Sequence, residues 1–241
     1  MIDIFLQVTT LKESAKANRD FSDYESALED LNQAVEVLMQ EASTTHEDSY
    51  KDHIDRELAD CYGMKGGIFR RLAQTKQSDA KLFKLYLEKA KDCYKNGKEF
   101  EKDDSYNLSN FIIINILIDP MQLIYQQPSI ADVLAKIQEQ VMGKRRDQWW
   151  AWSDLGLFKL LSGDKQGALE AYSQFKQKGA RETDYESTLA VLSDLQKQLQ
   201  SAALSDLQKR LQSTDLSQIT STAQSIGEVI QQLEMSSTLK T

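Results

Sequence analysis

The chain has 241 residues and a formal net charge of -8, with 41% hydrophobic and 27% charged residues, values ordinary for a globular protein and long enough for one large core or a stacked array. The acidic balance argues against a protein whose main task is gripping phosphate backbones, which needs a basic face. Only 2 Pro and 10 Gly occur, against averages of about 5% and about 7%; with much Leu, Ala, Lys, Glu and Gln, this favours helix nearly throughout.

The opening MIDIFLQVTTLKES lacks a basic leader, an adequate apolar run and a small-residue cleavage site, so no signal peptide is expected and the cytoplasm is the default setting. Ser22-Asp23-Tyr24 precedes Ala27, Leu31 and Ala34, with Ala15 twelve residues before Ala27. Further on, YGMKGGIF (62–69) places Tyr62 four before Gly66, and YLEKAKDCY (86–94) supplies Ala90 and Tyr94, also four apart. SYNLSNFIIINILIDP (105–120) sets Tyr106 four before Asn110, with SIADVLAKIQEQV (129–141) as its expected partner helix. QTKQSDAKLFKL (74–85) and MQLIYQQP (121–128) read as longer turns or extended helices between these segments. FIIINILI (111–118), interrupted by Asn115, falls far short of the ~20 residues of a membrane span.

KRR at 144–146 follows Gly143 and reads as positive charge at a helix C-terminus, where it is favoured. The stretch WSDLGLFKLLSGDKQGALEAYSQF (152–175) is helix, tight turn, helix. Gly163 is the expected stop, because glycine adopts the left-handed conformation without penalty, and Asp164 the expected N-cap of the next helix. Gly156 and Ala168 are small enough for two backbones to cross closely, with Trp152 and Tyr172 as the covers. Of the remaining tryptophans, Trp149 and Trp150 point elsewhere on that helix, toward a neighbouring helix or a recognition surface.

Beyond residue 183 the texture turns to Gln, Ser and Leu. Thr183 with Glu186 reads as a capping box. LSDLQKQLQS (192–201) recurs as LSDLQKRLQS (204–213); at ~100° per residue the second stripe falls about 120° from the first. Leu192, Leu195 and Leu199 therefore share no narrow face with Leu204, Leu207 and Leu211. Either the helix breaks near Ser201-Ala202-Ala203, or a wide apolar surface wraps two neighbours. The last segment puts Leu216, Ile219, Ala223, Ile226 and Ile230 on one face; it caps the array, or it forms a homodimer or docks a partner.

Reactive constellations are missing from this pattern. His46 and His53 lie on one helical face with Glu57 and Cys61, without the i,i+4 ligand pair of a metal helix, and read as exposed polar residues. Cys61 and Cys93 make neither a disulfide framework nor a zinc spacing and read as small core residues. No G-x-S-x-G elbow, H-E-x-x-H or phosphate-binding glycine loop is found. The acidic residues around 99–106 read as solvated helix ends. No catalytic residue, metal or cofactor is expected.

Trp152, Leu155, Gly156, Gly163, Asp164, Ala168 and Tyr172 together resemble the tetratricopeptide repeat, a helix–turn–helix unit of about 34 residues. Lys159, Phe175 and the lack of a proline near Ala180 depart from its pattern. More loosely, ELADCYGMKGGIFRRL and DDSYNLSNFIIINILIDP resemble the divergent repeat domain of stress-signalling kinases and bacterial defence proteins. The resemblance implies an all-α fold: about four antiparallel helix pairs over residues 1–182 in a right-handed solenoid, with 183–241 as a C-terminal cap or dimerisation segment. Tyr62, Tyr106 and Trp152 recur at intervals longer than the family's period. GMKGG (63–67) falls mid-helix in this reading rather than in a phosphate loop.

The implied function is a scaffold or adaptor, in a signalling or defence complex, that receives a partner protein or peptide in a concave groove. The alternative is a regulatory or sensor domain of a larger enzyme assembly. Carried over residue by residue, the groove candidates are Lys12, Lys16, Arg19, Arg70, Arg71, Asn107, Phe111, Ile114, Asn115, Trp150, Ser153 and Leu157. Their N-terminal members are basic in an acidic protein, which suggests an acidic segment as ligand; ion pairing with Glu57 or Asp60 is the competing use of those cations.

Overall fold

A computed structural model describes residues 4–100, 105–207 and 213–238, with side chains described except at 204–207, 213–216 and 236–238. Among the described residues the chain is all-helical. It forms two compact units, Met1–Ile114 and Asn115–Thr241. In the first, α1 (Ile4–Asp20) packs on α2 (Tyr24–Thr44), α2 on α3 (Asp48–Thr75), and α3 on α4 (Ala80–Phe100); α5 (Tyr106–Ile118) begins here and crosses into the second unit. The second unit holds α6 (Gln122–Tyr125), α7 (Gln127–Met142), α8 (Trp149–Leu161), α9 (Lys165–Gln177), α10 (Glu182–Leu207) and α11 (Ser213–Thr238). There α7 packs on α8, α8 on α9 and α10 on α11, which also touches α6, α8 and α9.

Two long helices joined by a short turn can pack along one another only by running antiparallel. The side chains agree, because residues before each turn touch residues after it. On the α8/α9 hairpin the Tyr172 ring rests on Gly156, where a built Cβ would stand 2.7 Å from Cε2 and Cζ. The α3/α4 hairpin repeats the arrangement, with the Tyr94 ring on Gly66 at 2.7 Å from Cζ. Ala168 and Ala90, one turn before each tyrosine, are fully buried. Trp152, the other expected cover, turns away: its indole N–H donates to the Arg146 carbonyl at 2.8 Å.

The α1/α2 hairpin matches α8/α9 at one constant offset along the chain. Leu11, Ala15, Ala27, Leu31 and Ala34 stand where the second hairpin has Trp152, Gly156, Ala168, Tyr172 and Phe175. The turns match bond for bond. Gly163, at φ 88°, donates to the Leu160 carbonyl and Asp164 to that of Lys159; Ser22, at φ 63°, and Asp23 donate likewise to Arg19 and Asn18. Asp164 then caps α9 by accepting from the Gly167 N–H at 2.8 Å, and Asp23 caps α2 by accepting from Ser26 at 3.2 Å. Serine thus occupies a left-handed position that favours glycine. The first unit's core is continuous from Val8, Ala15, Ala27 and Leu31 to Ile54, Leu58, Cys61 and Ile68.

The lengthened intervals are helix rather than loop. α3 runs to Thr75 and α4 starts at Ala80, with Asp79 accepting from the Lys81 and Leu82 N–H groups at 3.0 Å. The 121–128 stretch holds α6 and the first turn of α7. GMKGG lies inside α3.

Two further expectations meet corrections, and one of two alternatives for α10 is excluded. α10 opens at Glu182, and the reciprocal cap is Asp184 accepting from the Arg181 N–H at 2.8 Å; Thr183 and Glu186 are exposed. The helix continues through Ser201-Ala202-Ala203 without a break. On α11 the buried face is Ile219, Ala223, Ile226, Val229 and Leu233, while Ile230 is only half-buried. Leu192, Leu195 and Leu199 are buried; the side chains of Leu204, Leu207, Leu211 and Leu216 lie outside the described residues.

Phe175, where the repeat family usually has alanine, is the hub of an aromatic cluster. Its ring meets Tyr185 at 4.8 Å, Trp149 at 5.9 Å and Tyr172 at 6.4 Å between centroids.

Gly156→Ala should destabilise the fold by about 1–3 kcal/mol, the usual cost of overpacking, because the Tyr172 ring is buried and has nowhere to go. In a Tyr172→Ala background the same change should become neutral or favourable, since alanine is the better helix former. A double-mutant cycle in urea reads the coupling directly; purely additive effects would contradict the packing described.

Burial pushes the Cys61 thiol up to about 12 and that of Cys93 to about 11, against about 8.5 for an exposed thiol. A raised pKa contributes stability that is complete below the unfolded value and is lost as pH rises through the folded one. Native protein should therefore resist a thiol reagent at neutral pH until unfolded. Its urea midpoint should fall between about pH 9 and 11, more steeply than that of a Cys61→Ala/Cys93→Ala variant.

Candidate functional site

The basic groove candidates fall into two groups once their surroundings are known. Lys12, on α1, lies between the Glu57 carboxylate at 2.8 Å and Asp60 on α3. Burial would lower its pKa, but the two carboxylates overcome that and hold the ammonium charged. This lysine ties α1 to α3 and is not open to a ligand. Lys16 pairs along its own helix with Glu13 at 2.7 Å.

Arg19, Arg70 and Arg71 remain. Arg19 is in the last turn of α1, where a cation complements the helix dipole; its guanidinium pairs with its neighbour Asp20 at 2.7 Å. Arg70 and Arg71 lie side by side on α3. Arg70 donates from Nη1 to Asn110 Oδ1 at 3.4 Å, while its Nε is buried with no hydrogen-bond partner among the described residues. Asn110 in turn donates to the Tyr106 carbonyl at 2.9 Å. Asn110, noted in the sequence only for following Tyr106 by four residues, is thus the hydrogen-bond neighbour of Arg70.

The pKa of Arg71 is lowered by burial and then by the charges of Arg19 and Arg70, with Tyr24 and Asp20 acting the other way. No carboxylate of a described residue is within ion-pairing distance of Arg70 or Arg71. Arg19 is thus paired within the α1–α2 turn, which also carries Asp20 and Asp23, whereas Arg70 is directed to Asn110 on α5. A fork-shaped, permanently charged guanidinium is suited to binding carboxylates.

The other candidates are not brought to this place. Asn107 is buried: its Nδ2 donates to the Ala59 carbonyl at 3.0 Å, and its side chain fills the space above Gly97, 2.6 Å from a built Cβ. Its amide satisfies helix packing instead of facing a ligand. Ile114 is fully buried. Phe111 is half-buried, with Lys98 over its ring at 4.7 Å. In the second unit, Leu157 is core at 6% exposure, Asn115 is half-buried, and Ser153 shares a 3.1 Å hydrogen bond with Thr188. Trp150 is half-buried beneath the Arg145 guanidinium, 4.7 Å from its ring centroid. Arg145 is held in turn by Gln140 Oε1 at 2.7 Å, so the KRR segment folds onto its own helix end.

Among the described residues no group of three or more His, Cys, Asp or Glu could hold a metal ion, and His53 packs on Phe5 at 4.1 Å. Among the same residues no helix is long and apolar enough to cross a membrane. No protein-family model and no curated protein matches the chain.

Gathering like charges has a cost that salt should reveal. Arg71→Gln is expected to raise stability at low ionic strength by on the order of 0.5 kcal/mol, the scale of an exposed charge pair. The gain should vanish in 1 M salt. Urea melts at the two salt concentrations measure it; a salt-independent difference would mean that the arginines do not repel one another.

Proposed function

We propose that this chain is a protein-interaction scaffold whose N-terminal unit captures an acidic segment of a partner at Arg19, Arg70 and Arg71. The observation that supports this most is that Arg70 and Arg71, adjacent on α3, have no carboxylate of a described residue within ion-pairing distance, with the Arg70 Nε buried and unpartnered among those residues. The stacked hairpins supply what a scaffold needs, since their side chains are spent on small-against-large packing that fixes the helices and leaves the turns to carry recognition. A partner's carboxylates would neutralise the cluster and satisfy the orphaned Arg70 Nε through charge-assisted hydrogen bonds.

Affinity capture with the intact chain and with an Arg70→Glu/Arg71→Glu variant tests the reading. A partner retained by the first, lost by the second, and released by 0.5 M salt is expected, with both baits equally helical by circular dichroism. Equal capture by both would remove this site from the function.

A further inference from the structure

The three glycines of GMKGG, inside α3, are used unequally. Gly63 lies under the Tyr106 ring, where a built Cβ would stand 2.8 Å from Cε1, and Gly66 lies under the Tyr94 ring. Gly67 has no such cover. A Cβ there would meet only the Tyr94 hydroxyl oxygen, at 3.8 Å, an ordinary contact distance. Glycine inside a helix is less stable than alanine, and no close packing requires it at this position. What it leaves is room beside the Tyr94 hydroxyl.

Two unused donors border that room. Tyr94 is fully buried, and its hydroxyl has no hydrogen-bond partner among the described residues. Burial pushes its pKa up, so it keeps the proton it can donate. Arg70 follows Gly67 by three residues and is therefore its neighbour on the helix surface. The Arg70 Nε is buried and unpartnered among the same residues, while Nη1 is turned to Asn110. Gly67 and Arg70 are only half-buried, so the place opens to solvent on their side. A guanidinium with no carboxylate in reach, next to a second unpartnered donor, matches an anion that offers two oxygens. Resting on the function proposed above, we infer that the site bordered by Gly67, Arg70 and Tyr94 receives one carboxylate of the partner's acidic segment. One oxygen accepts from Arg70 Nε and the other from the Tyr94 hydroxyl. Recognition then lies on the α3 face that Tyr94 covers, away from Asn107, whose side chain packing has consumed.

The test follows the Arg70 Nε–H resonance by NMR in the full chain, assigned through its loss in Arg70→Gln. The probes are acetyl-Gly-Glu-Gly-amide, its Gln analogue, acetate and inorganic phosphate, each titrated against chloride at constant ionic strength. The Glu peptide and acetate should shift the resonance saturably; the Gln peptide and chloride should not. Tyr94→Phe keeps a ring on Gly66 and should weaken the Glu peptide about tenfold, the scale of one hydrogen bond to a charged group. Gly67→Ala should melt no lower than the parent, since its methyl group meets no close contact, yet should weaken the same peptide at least as much by filling the site. Circular dichroism and urea melts check that both variants fold. No saturable shift with either carboxylate overturns the site, as does a Glu peptide held equally by the parent, Tyr94→Phe and Gly67→Ala. The Arg70→Glu/Arg71→Glu capture decides separately whether the arginines hold a partner from the surface. Phosphate bound more tightly than both carboxylates overturns the ligand class.

Discussion

The contact on which the hairpins depend is a large ring laid on bare backbone. Tyr172 covers Gly156 and Tyr94 covers Gly66, each at distances that leave no room for a methyl group. This lets two helices approach closely enough for the buried Ala168 and Ala90 to complete the seam. Dispersion falls off steeply with distance, so a crossing widened by one methyl group would forfeit contact along the whole pair. In the α1/α2 hairpin the same places hold Ala15, Ala27 and Leu31, all fully buried. A smaller lid on a slightly larger floor gives a seam of the same kind.

That economy has a polar cost. The Tyr172 hydroxyl is buried without a hydrogen-bond partner among the described residues, and burial drives its pKa upward. Asn107 shows a half-satisfied version, a polar side chain wedged over a glycine whose Nδ2 donates to the Ala59 carbonyl while its Oδ1 is buried without a partner among the described residues. Both use a side chain as a spacer between helices. Their shape matters more than their chemistry, which is why neither is available for recognition.

Charge is treated differently in two parts of the first unit. Lys12 is fully used between Glu57 and Asp60, a pairing that ties two helices together. Arg19 pairs with its neighbour Asp20, while Arg70 and Arg71 have no carboxylate of a described residue within ion-pairing distance, although the chain has 37 acidic residues against 29 basic.

Helix content, the Gly163 stop, the Asp164 cap and the pairing of Gly156 with Tyr172 were legible in the sequence by itself, because each rests on local geometry or on spacing along one hairpin. Leu11, Ala15 and Ala27 were legible for the same reason, as weaker echoes of that pattern. The fate of longer side chains was not. Of the groove candidates Lys12, Asn107 and Leu157, one is spent on an ion pair and two on packing. Trp152 left the seam for a backbone carbonyl six residues earlier, and the cap of α10 moved from Thr183 to Arg181 and Asp184. Spacing within a helix fixes which way a side chain sets out. Only the neighbours brought in from other helices decide what it meets.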